Sequence, residues 1–313
     1  MEWLACDIDA TDCQHMTKKT EKSTGMSKNI LWACLISASN PLIWASPIAQ
    51  AAPQYSESPH SIVSSGPSYA DIADLADEAP IIAHVLIRNS IPLSEKHAGD
   101  VPPGYRRLYI EADVMALIRG EGGVSPSVSY LYDAPIDTRG KTAKLKKVQM
   151  LLFARQGTRP GDIQLVARDA QIPATAADME QVKNIVSALV APDAPPRIIG
   201  PGDAFHVSGT IAGEGETQIF LRTENGDPVS LSIIRRPGQE PRWAVALGEI
   251  VDEAARPPQS GSLLWYRLAC ALPPTLPPRS IRALSVPDAE AAQADYRLVM
   301  QALGQCDRTR QVR

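Results

Sequence analysis

The chain is poor in what large aromatic cores, nucleic-acid faces and membrane-spanning helices require. Only 3 of its 313 residues are phenylalanine and 5 are tryptophan, and aromatics make up 5%. The C-terminal unit in particular has few large aromatics, so its own core is expected to be modest. Positive charge is not in excess: 31 Lys and Arg face 35 Asp and Glu, a net charge of −4. That excludes a basic face of the kind that displaces counterions from nucleic-acid phosphates. No apolar run reaches the about 20 residues that cross a bilayer as a helix. The chain contains no H-E-x-x-H, no G-x-S-x-G elbow and no serine with a lysine three residues on. With 44% hydrophobic and 21% charged residues the composition is that of a folded protein. Twenty-seven prolines point to many short strands and turns.

The N-terminal region carries an export pattern that does not start at Met1. Met26-Ser27-Lys28-Asn29 is a short positive segment, followed by the apolar run 30–39, then Pro41 and Ala49-Gln50-Ala51. This order of regions predicts a signal peptide over residues 1–51, cleaved between Ala51 and Ala52, with Met26 as the start of the preprotein. The mature protein is then periplasmic or secreted, with no transmembrane helix. Cleavage removes Cys6, Cys13 and Cys34 and leaves Cys270 and Cys306, an even pair suited to an oxidising compartment. A bridge between them closes a loop of about 37 residues, worth about 3–4 kcal/mol in the chain-entropy picture.

Downstream, residues 52–67 are rich in Ser and Pro and read as a disordered linker. Ser68 followed by Asp71 has the spacing of a capping box, which predicts a short helix ending before Pro80. Strands are predicted over 81–88, 107–118, 127–132, 147–154 and 162–167, each bounded by Gly or Pro. A helix over 175–190 follows, capped by Thr175, with Met179, Val182, Val186 and Leu189 along one stripe. Residues 192–202 read as a Pro-rich linker. A second unit over 203–306 is predicted to hold strands at 204–211, 217–223, 229–235 and 242–250. They are joined at Asn225-Gly226 and Pro237-Gly238 as a meander over the apolar segment 263–272. Pro287 and Gly304 bracket a final helix with Ala292, Tyr296, Val299 and Leu303 on one face. Residues 307–313 form a tail. The fold class is mostly β with peripheral helices: a five-stranded barrel over 68–191, then a small antiparallel unit with a C-terminal helix.

Two resemblances bear on this plan. The order and lengths of elements over about 68–190, with Ala116-Leu117-Ile118-Arg119-Gly120 ending a long second strand, resemble an OB-type barrel, in particular its netrin-like version. The cysteine pattern of extracellular netrin-like domains is missing, so no inhibitory or binding residue carries over. Gln218-Ile219-Phe220-Leu221, Pro241-Arg242-Trp243 and Trp265-Tyr266-Arg267-Leu268-Ala269-Cys270 resemble a group of exported bacterial proteins of unknown function. That likeness covers about 69–306 and implies export and a two-part build, but no activity.

Candidate chemistry is sparse. His60, His84, His97 and His206 lack a second histidine at ligand spacing, so no metal site and no cofactor is expected. His84 and His206 alternate with apolar neighbours, as structural histidines do. Glu214 with Glu216, and Glu249 with Asp252 and Glu253, are possible carboxylate pairs, although solvated turn acids are the commoner case. Lys141, Lys144, Lys146 and Lys147 read as a solvated loop guarding the next strand against edge pairing. No catalytic residue is expected. Trp243, Tyr266 and Arg267 are the candidate binding surface for an envelope protein or a small ligand. The functional expectation is an exported, non-catalytic binding or envelope-associated factor. The alternatives are a periplasmic hydrolase assembled from distant residues and a netrin-like protease inhibitor.

Overall fold

The computed structural model describes residues 66–248 and 256–310. The export pattern at Ala51 and Ala52, His60 and most of the 52–67 linker lie outside the described residues. The fold opens with α1 (Tyr69–Glu78), where Ser68 and Asp71 exchange side-chain and backbone hydrogen bonds in the expected capping box. Then come β1 (Ile81–Pro92), the single turn α2 (Glu95–Ala98), β2 (Tyr105–Arg119), β3 (Ser127–Pro135), β4 (Gln149–Gln156), β5 (Ile163–Leu165) and β6 (Gln171–Pro173). The 162–167 strand of the sequence reading is cut short at Leu165, and the chain returns to β4 through β6.

β1 pairs with both β2 and β4, β2 with β3, and β4 with β5. Three register shifts along β1 and β2 bend this sheet round on itself. It nearly closes where Ser129 of β3 meets Asp162 just ahead of β5 in a parallel bridge. The result is a nearly closed five-stranded barrel, compatible with the OB-type order. Inside lie Val85, Ile87, Leu108, Ile110, Val128 and Leu152. β4 is buried on both faces, which explains why it reads as an uninterrupted apolar run rather than an alternating one. Met150 and Leu152 enter the barrel, whereas Leu151 and Phe153 join a second core outside it.

That second core lies under α1 and α3 (Ala176–Leu189) and continues beneath a four-stranded meander. The meander consists of β7 (Ile198–Ser208), β8 (Gly215–Thr223), β9 (Val229–Arg235) and β10 (Arg242–Ala246), in the order β10-β9-β8-β7. β7 begins six residues before the expected 204, and its register shifts near Pro201 accommodate a residue with no N–H to donate. β10 ends at Ala246; residues 249 and 250 are outside the described set. The apolar segment 263–272 is helical in part, as α4 (Leu263–Ala269), capped by Ser262. α5 (Val286–Leu303) buries Ala292, Tyr296, Val299 and Leu303, the expected stripe. Cys270 and Cys306 are disulfide-bonded with Cα atoms 5.0 Å apart. No helix among the described residues is long and apolar enough to cross a membrane.

Residues 307–310 follow α1 in space. Asp71, Asp74 and Asp77 recur at three-residue spacing and so form one stripe of that helix. Arg308 forks onto Asp74 through Nε at 2.7 Å and Nη2 at 2.8 Å, and the Tyr266 hydroxyl donates to the same carboxylate at 2.6 Å. The backbone N–H groups of Thr309 and Arg310 donate to Asp71, and the Arg310 guanidinium is bidentate on Asp169. Asp77 is shared by Arg267 and Arg197.

Candidate functional site

Period-two alternation turns Arg107 and Tyr109 of β2, and Ser129, Leu131 and Asp133 of β3, away from the barrel interior. Opposite them stands the β4–β5 loop. Its limbs approach so closely that a Cβ on Gly157 would sit 2.7 Å from the Asp162 carbonyl oxygen. The Ser129 N–H donates to the Gly161 carbonyl at 2.9 Å, and the Ser129 hydroxyl donates to Asp162 at 2.7 Å. Beyond this contact β3 and β5 diverge, leaving a groove of about 730 Å³ in the barrel wall.

The charges of the groove are largely spoken for. Arg107 reaches Asp133 through Nε at 2.7 Å and Nη2 at 2.8 Å, and its Nη1 donates to the Ala98 carbonyl. Arg159 Nε donates to Asp162 at 2.6 Å. The Ser129 hydroxyl and then Arg159 hold the Asp162 carboxyl below the ordinary carboxylate range. Behind the wall the Tyr130 hydroxyl donates to Gln171, and burial pushes its pKa up. Arg168 is the exception: it is exposed and has no ion-pair partner among the described residues. Leu131, half exposed, supplies apolar surface beside it. The groove therefore offers one uncompensated cation, an apolar contact and peptide groups of a diverging strand pair. It has no carboxylate free to act as a base.

The candidate surface residues lie elsewhere and face inward, Trp243 in the core as its alternation with Val245 and Leu247 predicts. Trp243, Tyr266 and Arg267 are exposed by only 9%, 6% and 8%, so none presents a contact face. Tyr266 and Arg267 line a separate pocket of about 300 Å³ with Asp74, Asp77 and Arg308. Trp243 does not reach it. Titratable groups converge there, but mainly on one another: burial, then the hydrogen bond to Asp74, keeps the Tyr266 hydroxyl protonated well above its usual range. Both sulfurs of Cys270 and Cys306 are committed to their bridge. Lys141, Lys144, Lys146 and Lys147 are all exposed. Glu214 sits in the β7–β8 turn and Glu216 faces outward from β8; Glu249, Asp252 and Glu253 are outside the described residues.

His84 is hydrogen-bonded to Gln149 at 3.0 Å. His206 belongs to a row that sequence reasoning missed. Asp295, 1% exposed on α5, accepts from the Thr217 hydroxyl on one oxygen and from Arg235 Nε at 2.5 Å on the other. Because that hydroxyl proton goes to the carboxylate, the 2.8 Å contact between Thr217 Oγ1 and His206 Nδ1 requires the proton on Nδ1. Nε2 lies 3.4 Å from the Ser208 hydroxyl. Only the i, i+2 placement of His206 and Ser208 on one strand was visible in the sequence. No protein-family model matches the chain, and no curated protein matches it.

Proposed function

We propose that the protein is an exported, non-catalytic binding factor of the cell envelope, built on an OB-like barrel and taking its ligand in the barrel-wall groove. The observation that carries the reading is the groove itself: an open volume of about 730 Å³ whose carboxylates are already neutralised by arginines. Such a lining favours holding a ligand over turning it over. Arg168 selects an anionic group and Leu131 an apolar neighbour to it. Export is supported by the pattern ending at Ala51 and by the paired cysteines. The test is native mass spectrometry of protein isolated from the envelope, comparing wild type with Leu131→Asp/Arg168→Glu. A bound mass that the double variant loses, with its melting temperature kept, supports the reading; an identical bound mass in both refutes the groove.

A hydrolase reading draws on one specific observation, the directed row Ser208–His206–Thr217–Asp295. A fluorophosphonate probe labels a serine activated in this way. Labelling of wild type that Ser208→Ala abolishes would move the assignment to an enzyme. The Arg235 counter-charge on Asp295 weighs against it, since it reduces the pull of that carboxylate on the row.

A further inference from the structure

Two of the three phenylalanines in the chain are on the outside. Phe205 and Phe220 pack edge to face, with ring centroids 5.8 Å apart, and are 54% and 40% exposed. Around them stand Val207 at 68% exposure and Ile234 at 39%. All four project from the face of the β7–β10 sheet that turns away from α5. The inner face of the same sheet is filled by Ile219, Leu231, Ile233 and Trp243. An aromatic-poor protein thus places most of its phenylalanine on a water-facing sheet, where burial by a partner is the physical way to recover it.

We propose that this face is the contact surface for a second copy of the same chain, in a two-fold, face-to-face dimer. The argument is the order of residues along β8. Its outward stripe runs Glu216, Gln218, Phe220, Arg222: an acid at one end, a base about 20 Å away at the other, and a neutral centre. Neither Glu216 nor Arg222 has an ion-pair partner among the described residues. A two-fold axis lying in the interface, perpendicular to β8 and passing between Gln218 and Phe220, runs the two β8 strands antiparallel. Glu216 of each copy then meets Arg222 of the other, twice per dimer. The shapes agree with the charges. Val207 pairs with Glu216 across the strands, so the same rotation carries it to the opposite end of the partner. Near there, at the β8–β9 turn, a hollow of about 390 Å³ is lined by Ile199 of β7, Phe220 and Arg222 of β8, and Asp227 and Pro228 of the turn. The alternative axis, along β8, stacks Glu216 on Glu216 and is disfavoured by like-charge repulsion.

Ser230 and Ser232 of β9 and Ala246 of β10 are buried on this side, so the open face is the width of β7 and β8 with Ile234 at its margin, about seven residues long and on the order of 230 Å² before side-chain relief is counted. That is about a third of what each partner buries in a standard interface, so the dimer is weak and reversible. Sedimentation equilibrium of the purified protein from about 1 µM to about 500 µM reads it directly. Twice the monomer mass is expected at the upper end. Glu216→Arg and Arg222→Glu each replace two attractions by two repulsions and weaken association tenfold or more. The double charge swap restores it. All these positions are exposed, and an unchanged melting temperature confirms that each variant is folded. A wild type that stays monomeric throughout, single variants that dimerise normally, or a double swap that fails to recover would each overturn the proposal. Dimerisation through a free strand edge gives the second of these outcomes, and a face reserved for a different protein gives the first.

Discussion

Removing the carboxylate of Asp74 should unfasten the segment after Cys306 from α1. Asp74 is 6% exposed and accepts from Arg308 twice and from the Tyr266 hydroxyl once. Asp74→Ala leaves a guanidinium and a buried phenol without their acceptor. Breaking a buried pair from one side costs about 3–5 kcal/mol. The Arg308 side chain is 28% exposed and recovers part of its hydration, which lowers the expectation to about 2–4 kcal/mol. At about 2.1 cal/mol/K per residue over about 240 ordered residues, a loss of ~3 kcal/mol lowers Tm by about 6 °C. Urea unfolding of Asp74→Ala, Arg308→Ala and the double variant closes the cycle. Because one partner's removal already strands the other, the double variant should be no less stable than Asp74→Ala by more than about 0.5 kcal/mol. A loss below that figure for Asp74→Ala, or full additivity, refutes the reasoning.

Acid should act at the same place. Burial alone would raise the Asp71 pKa, but donors from Thr309, Arg310 and Ser68 outweigh it and leave it below the ordinary 3.8. Arg310 does the same for Asp169. Carboxyls depressed in the folded state contribute stability that is present above 3.8 and lost as pH falls through their folded values. Amide exchange of residues 307–310 should therefore accelerate below about pH 4 before the barrel opens; simultaneous exchange throughout the molecule would contradict this. Trp243→Ala removes a core side chain from β10 and should cost about 3–5 kcal/mol in chemical denaturation; a cost below 1 kcal/mol would show a site that collapses freely. Cys306→Ser should release the end of α5 ahead of global unfolding and cost about 3–4 kcal/mol. Limited proteolysis that cuts wild type and variant alike would count against it.

Local signals were the legible ones. The caps at Ser68 and Thr175, Pro287 with Gly304, and the Asn225-Gly226 turn each act within a few residues, and each marks a real boundary. What failed to show depends on partners far along the chain. The segment 204–208 alternates, and alternation does not say which face is wet. Phe205 and Val207 are outside because Thr217 and Asp295 wait inside for His206. Tyr266 and Arg267 are held inward by Asp74 and Asp77, about 190 residues earlier, a pairing that no local signal encodes. Residues 307–310 looked like a tail since four polar residues carry no periodicity, and only the aspartate stripe of α1 gives them places. The groove beside Leu131 arises from incomplete closure of the barrel, a property of curvature that no short motif encodes.

The pairing of α1 with Arg308 also sets an order of events in synthesis. The two partners are separated by 234 positions. At about 5–20 residues per second, the aspartates of α1 wait about 10–50 s on the ribosome before their arginine is made. During that interval Asp74 lacks its guanidinium, whereas the apolar face of α1 and the Asp77 partners Arg197 and Arg267 are made earlier. Chains that stop short of Arg308 therefore hold α1 less firmly, by about the 2–4 kcal/mol that the pair contributes.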